Sequence, residues 1–188
     1  MKKNDLPEYI SGIPTAKNKS RERMDLIRNY YSNLWKKLQK EGNTNKIFNN
    51  YLGVDVYIIK NESDKKTINA ASRNWQSTYA VKKLYEIVKN ASCEENTTVF
   101  FAPKSGTQSD NKYKNIAVLY YNMVNSVIPY LNFKVKLTIG IRSNNKHVQY
   151  CVNKIEINEK KSTVQSKYPF QGPHTEPTLG KIDRTKQL

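Results

Sequence analysis

Between Asn132 and Ile157 the chain alternates. Phe133, Val135, Leu137, Ile139 and Ile141 are apolar, and Lys134, Lys136, Thr138, Gly140 and Arg142 between them are polar or small. A period of two marks a strand with one buried face. Ser143-Asn144-Asn145-Lys146 follows. Asn accepts positive φ, so a two-residue primed turn is expected there. That turn pairs Arg142 with His147, Ile141 with Val148, Gly140 with Gln149, Ile139 with Tyr150 and Thr138 with Cys151. Val148, Tyr150 and Val152 then extend the apolar face. Lys136, Thr138, Arg142, His147, Gln149 and Asn153 gather on the other, with Lys134 at the start of the row. Cations, an imidazole and neutral hydrogen-bonding groups on one sheet face suit phosphate.

Upstream the period changes. Met24, Ile27, Tyr31, Leu34 and Leu38 recur at three- and four-residue steps. This predicts an amphipathic helix from Ser20 to Glu41, with Ser20 as its N-cap and Gly42 as its stop. Its outer face carries Arg21, Arg23, Arg28, Lys36, Lys37 and Lys40. Residues 42–50 read as a polar connection and Tyr51–Ile59 as a β-branched strand. Asn61–Asp64 reads as a turn and cap. Helices follow over Asp64–Asn74 and Thr78–Asn90, separate or joined at a kink over Gln76–Thr78. Lys82, Lys83 and Lys89 lie on their outer side.

Val99–Ala102 reads as a short strand, and Lys104–Lys114 as a polar loop. Lys104-Ser105-Gly106-Thr107 lacks the frame of a nucleotide-binding P-loop, but Lys104 is a candidate phosphate contact. Asn115–Asn125 has a strand's composition, and a short helix fits it too. The stretches at either end lose all period. Residues 1–19 read as an extended arm, and 158–188, with Tyr168-Pro169-Phe170, as a flexible or extended tail that orders on a partner. The order is helix, strand, helices, then an antiparallel meander. The expected class is α+β: one domain over 20–157, with helices on one face of a small antiparallel sheet.

Composition adds a partner. The 188 residues carry a net charge of +16. That excess attracts polyanions, nucleic acid before all, although AT-rich codons for Lys and Asn supply part of it. No run of about 18 apolar residues occurs, so no membrane span is expected. No apolar segment follows the basic start, so no secretory leader is expected. Cys93, Cys151, His147 and His174 show no metal-ligand spacing, and no metal or cofactor is expected. A reducing cytoplasm, or a virion assembled in one, is the expected setting. Arg73, beside Asn74 and Trp75, offers a guanidinium to a base, while Trp75 and Trp35 read as core.

Three phrases carry a resemblance: Leu84–Ala91 (LYEIVKNA), Ala117–Tyr121 (AVLYY) and Phe133–Gly140 (FKVKLTIG). With the strand that leads into the helices, Val54–Ile157 resembles the small nuclease domains of the barnase/EndoU/colicin/RelE superfamily. The similar versions occur in phage head-associated and mobile-element proteins. The resemblance implies metal-independent RNA cleavage: the ribose 2′-OH attacks the adjacent phosphorus while an acid and a base move protons and cations hold the charge. It implies His147 as acid or base and Arg142 and Lys136 as phosphate clamps, with Thr138, Gln149 and Tyr150 positioning the substrate. Residues 1–146 contain no His, so a second histidine partner is missing by type. Glu156 is the one carboxylate in the hairpin.

Three functions are therefore expected in turn. The first is a ribonuclease-like protein of phage or mobile-element origin, binding RNA before DNA. The second is a non-catalytic virion or nucleoprotein component whose arms contact protein neighbours. The third is a small inhibitor of a host factor.

Overall fold

The computed structural model describes residues 6–42, 45–93, 100–101, 113–128 and 131–156. The tail from 157 onward, residues 94–99 and residues 102–112 of the Lys104 loop and its approach lie outside the described residues. The fold is α+β. Strands β1 (Tyr9–Ile10) and β2 (Ile13–Pro14) form a hairpin. Helix α1 (Ser20–Lys40) follows, then β3 (Lys46–Asn49), β4 (Val54–Tyr57), α2 (Ser63–Ala71), α3 (Trp75–Lys82) and α4 (Leu84–Asn90). Strands β5 (Phe100–Phe101), β6 (Asn115–Met123), β7 (Phe133–Ile141) and β8 (His147–Glu156) complete the order. The main sheet runs β3-β4-β8-β7-β6-β5. Every described pairing in it is antiparallel except β4 with β8, which is parallel. Helices α2 and α3 pack on β8, α4 packs on β3, and α1 lies over α2 and α3.

The alternation in β7 works as expected on one side. Val135, Leu137 and Ile139 are fully buried, and across β6 they meet Tyr121, Leu119 and Ala117. The register with β8 differs from the expectation. Ile141, not Arg142, pairs with His147, and Gly140 pairs with Val148. The cause is the turn. Asn145 alone adopts positive φ (60°), and its N–H donates to the Arg142 carbonyl at 2.9 Å. Arg142 N–H in turn donates to the Lys146 carbonyl at 3.0 Å. A two-residue primed turn needs positive φ at its first central residue, Asn144; positive φ at Asn145 alone gives a three-residue loop and a one-residue slip.

Two irregularities then restore the buried row. One extra residue lies between the pairs Ile139–Gln149 and Thr138–Cys151, and another between Leu137–Val152 and Lys136–Lys154. Each bulge reverses the alternation. His147, Gln149 and Val152 therefore share the helix-covered face, opposite Ile141, Ile139 and Leu137.

Other boundaries also move. Ser20 is the first helical residue of α1 and makes no cap bond, while Gly42 has φ +69° at the stop. The helical run breaks twice, at Ser72–Asn74 and at Lys83, and not at Gln76–Thr78; Asn74 caps α3 by accepting from Ser77 N–H at 2.7 Å, which keeps Gln76–Thr78 inside the helix. The expected polar connection contains β3, whose Ile47 is buried.

The expected N-terminal arm is no arm over its described residues. Ser11 and Gly12, at φ 53° and 78°, make the tight turn, and Ile10 and Ile13 enter the core. Arg23 secures the segment. This fully buried side chain donates from Nε to Ser72 O (2.7 Å) and from its terminal nitrogens to Pro14 O (3.0 Å), Ala16 O (2.7 Å) and Lys17 O (3.2 Å). Burial lowers its pKa, and the four carbonyls give the guanidinium the partners that burial demands. It belongs to the interior, not to the basic outer face of α1.

Candidate nucleic-acid interface

The residues expected to form one phosphate-handling face are dispersed. Gln149 is fully buried: its Oε1 accepts from Tyr31 Oη at 2.9 Å and its Nε2 donates to Thr67 Oγ1 at 3.2 Å. It ties α1 and α2 to β8 and has no access to substrate, which corrects its expected role. His147 pairs with Ile141 and Val56, on the helix-covered face. Lys136 and Thr138 point to the opposite face, across from Tyr120 and Val118 of β6. Thr138 is itself buried there. Lys134 lies with its ammonium 5.7 Å from the Tyr120 ring centroid. The slip at the turn thus separates His147 and Gln149 from Lys136 and Thr138. Arg73 is exposed in the link between α2 and α3. Lys104, and the side chains of Tyr150, Asn153 and Glu156, lie outside the described residues.

Arg142 joins a different group. Its Nη2 donates to Glu62 Oε2 at 2.6 Å, and Glu62 Oε1 accepts from Tyr113 Oη at 2.5 Å. The Tyr113 ring lies over Gly140 so closely that a Cβ at 140 would fall within it. Tyr113 therefore shares a face with Gly140, and through Glu62 it reaches Arg142; His147 is on the other face. Glu62, in the loop between β4 and α2, and Tyr113, before β6, are polar partners that periodicity could not find. No short-range spacing links them: 51 residues separate the pair. Beside the turn, Lys146 Nζ sits 3.9 Å from the Tyr57 ring centroid.

A second basic and aromatic surface lies on the helical layer. A groove of about 440 Å³ runs between α1 and the α3–α4 junction. Leu34, Val81 and Leu84 form its buried floor. Tyr30 and Tyr85, both half-buried, line it with Lys37, Lys82 and Lys83. Lys37 Nζ rests 4.2 Å from the Tyr85 ring centroid, and burial raises the Tyr30 phenol above its usual range. Lys82 Nζ donates to Ser11 O at 3.0 Å. The carboxylate that lines the groove, Glu86, is paired with Lys83 at 3.3 Å. The one-residue break at Lys83 lies on this groove, where α3 ends and α4 begins. Its lysines are the ones the sequence placed on outer helical faces; the tyrosines between them carry no such signal.

Among the described residues, no group of His, Cys, Asp and Glu could hold a metal ion, and no helix is long and apolar enough to cross a membrane. Comparison with known proteins finds no matching family model, no similar curated protein and no similar solved structure.

Proposed function

We propose that this protein binds single-stranded nucleic acid, RNA before DNA, and does so through the helical groove. The observation that carries the reading is the placement of Tyr30 and Tyr85 among Lys37, Lys82 and Lys83 over an apolar floor. Unpaired bases stack on aromatic rings and phosphates pair with ammonium groups, and neither contact requires a base sequence. The net charge of +16 supplies long-range attraction. In this reading the protein is a nucleoprotein component of a phage or mobile element, with neighbours of its own.

A fluorescence-anisotropy titration with labelled single-stranded RNA tests it. Binding should weaken steeply as salt rises. Tyr85→Ala should cost about 1–3 kcal/mol, the range for losing one stacking ring. Absence of salt-sensitive binding to RNA and DNA would sink the proposal and favour an inhibitor that acts on a host protein.

One observation favours ribonuclease chemistry as a second reading: the Glu62 carboxylate beside the Arg142 guanidinium supplies the acid/base group that histidine does not. There Glu62 would take the 2′-OH proton as O2′ bonds to phosphorus, Arg142 would hold the phosphorane charge, and the P–O5′ bond would break with the leaving 5′-oxygen taking a proton from water. Cleavage of RNA in EDTA, lost in Glu62→Gln, would support it. Intact RNA would leave binding alone.

A further inference from the structure

The helical groove does not end at Tyr85. The same side chain lines a second groove, of about 270 Å³, formed with Lys46, Phe48, Asn50, Asp55 and Lys89. We infer that the two grooves form one track for a single nucleic-acid strand, running from the α1/α3 side across α4 to the edge strand β3, with Phe48 as its second stacking platform. The inference rests on the proposed nucleic-acid binding and adds a path, a length and a residue to it.

Phe48 is the independent observation. It is 54% exposed, on a strand whose neighbours Ile47 and Asn49 are buried. An exposed phenyl ring at that position offers an unpaired base a face to stack on. The charges follow the same line. Tyr85 and Lys89 are four residues apart on α4 and so share a face. Lys37 lies before them and Lys46 after them. The carboxylates along the track are neutralised by lysines: Glu86 by Lys83 at 3.3 Å and Asp55 by Lys46 at 2.5 Å.

The spacing between the grooves is fixed by the fold. Asn49 Nδ2 donates to Val88 O at 2.6 Å and to Ala91 O at 3.0 Å, and Asn50 N–H donates to Lys89 O at 2.9 Å. These bonds dock β3 on the C-terminal end of α4, so the backbone positions that carry Phe48 and Tyr85 are fixed relative to one another. A preset spacing lowers the ordering cost of binding.

The test is an anisotropy series on the full chain with labelled oligouridines of about 4 to 16 nucleotides, the span of single-strand site sizes. Oligomers that fill one groove should bind wild type and Phe48→Ala alike. Longer ones should bind wild type more tightly, and Phe48→Ala should remove about tenfold of that gain. Lys89→Ala should act in the same direction, through charge and not through the ring. Phe48→Trp provides a direct reading, because the indole emission it adds over wild type should fall when a base stacks on the ring. Equal affinity of wild type and Phe48→Ala at every length, with emission of the Phe48→Trp variant unchanged by RNA, would overturn the track while leaving groove binding intact. Failure of wild type to bind at any length would overturn the earlier reading itself.

Discussion

At the scale of single residues, Gly140 shows how the second face of the sheet is used. A glycine in a strand forfeits side-chain packing, and here the Tyr113 ring takes that space and carries its hydroxyl to Glu62. Gly140→Ala must push the ring away and disturb the Glu62–Arg142 pair. It should destabilise the fold by about 1–3 kcal/mol in urea melts, the usual cost of overpacking. In a Tyr113→Ala background the same substitution should cost far less, because contacting residues are coupled. Equal costs in both backgrounds would contradict the contact. Gln149 carries the opposite lesson. A polar residue in a β-strand reads as solvent-facing, but its partners Tyr31 and Thr67 come from α1 and α2, 118 and 82 residues away. Nothing local announces them.

At the scale of elements, periodicity was sufficient for β7, for most of α1 and for the existence of the helices. It failed where a tertiary constraint shifts the frame. The Asn144-Asn145 pair suggests a primed turn, but Asn145 alone takes positive φ, and two bulges then re-phase β8. That slip dissolves the supposed common face of His147, Arg142 and Lys136, because each one-residue step sends a side chain to the other side. β3 was lost for a different reason: four residues with one buried aliphatic carry little period. The β1–β2 hairpin was missed and read as an extended arm, because two strands of two residues each carry no period. Its attachment was equally hidden, since Arg23 binds carbonyls and so leaves no acidic partner to find. Arg23→Met should therefore cost about 2–4 kcal/mol by orphaning those carbonyls. Hydrogen exchange should accelerate first at Ile10 and Ile13. Exchange that accelerates uniformly over the sheet would argue against Arg23 as a latch for this hairpin.

For the whole molecule, the ionisable groups shape the response to alkali. The Tyr30 phenol is raised above 10.0 by burial. Lys19 and Lys46 are raised above 10.5 chiefly by hydrogen bonds to Glu22 and Asp55. In all three the folded value exceeds the unfolded one. Their contributions are complete below the unfolded value and are lost as pH rises through the folded value. Urea midpoints should be level between about pH 7 and pH 9 and should fall above about pH 10. A midpoint that rises across that upper range would contradict these assignments.

The parallel contact of β4 with β8 has a consequence in time. In the sheet order β3-β4-β8-β7-β6-β5, the last strand among the described residues occupies an interior slot. A chain emerging from the ribosome delivers β4 and β7 before the strand that joins them. Until residues 147–156 arrive, the sheet exists at most as two separate ladders, each with an unpaired edge open to pairing with other chains. The hairpin loop at Asn145 sets when that exposure ends: it returns β8 directly beside β7, and the same strand then closes the gap to β4.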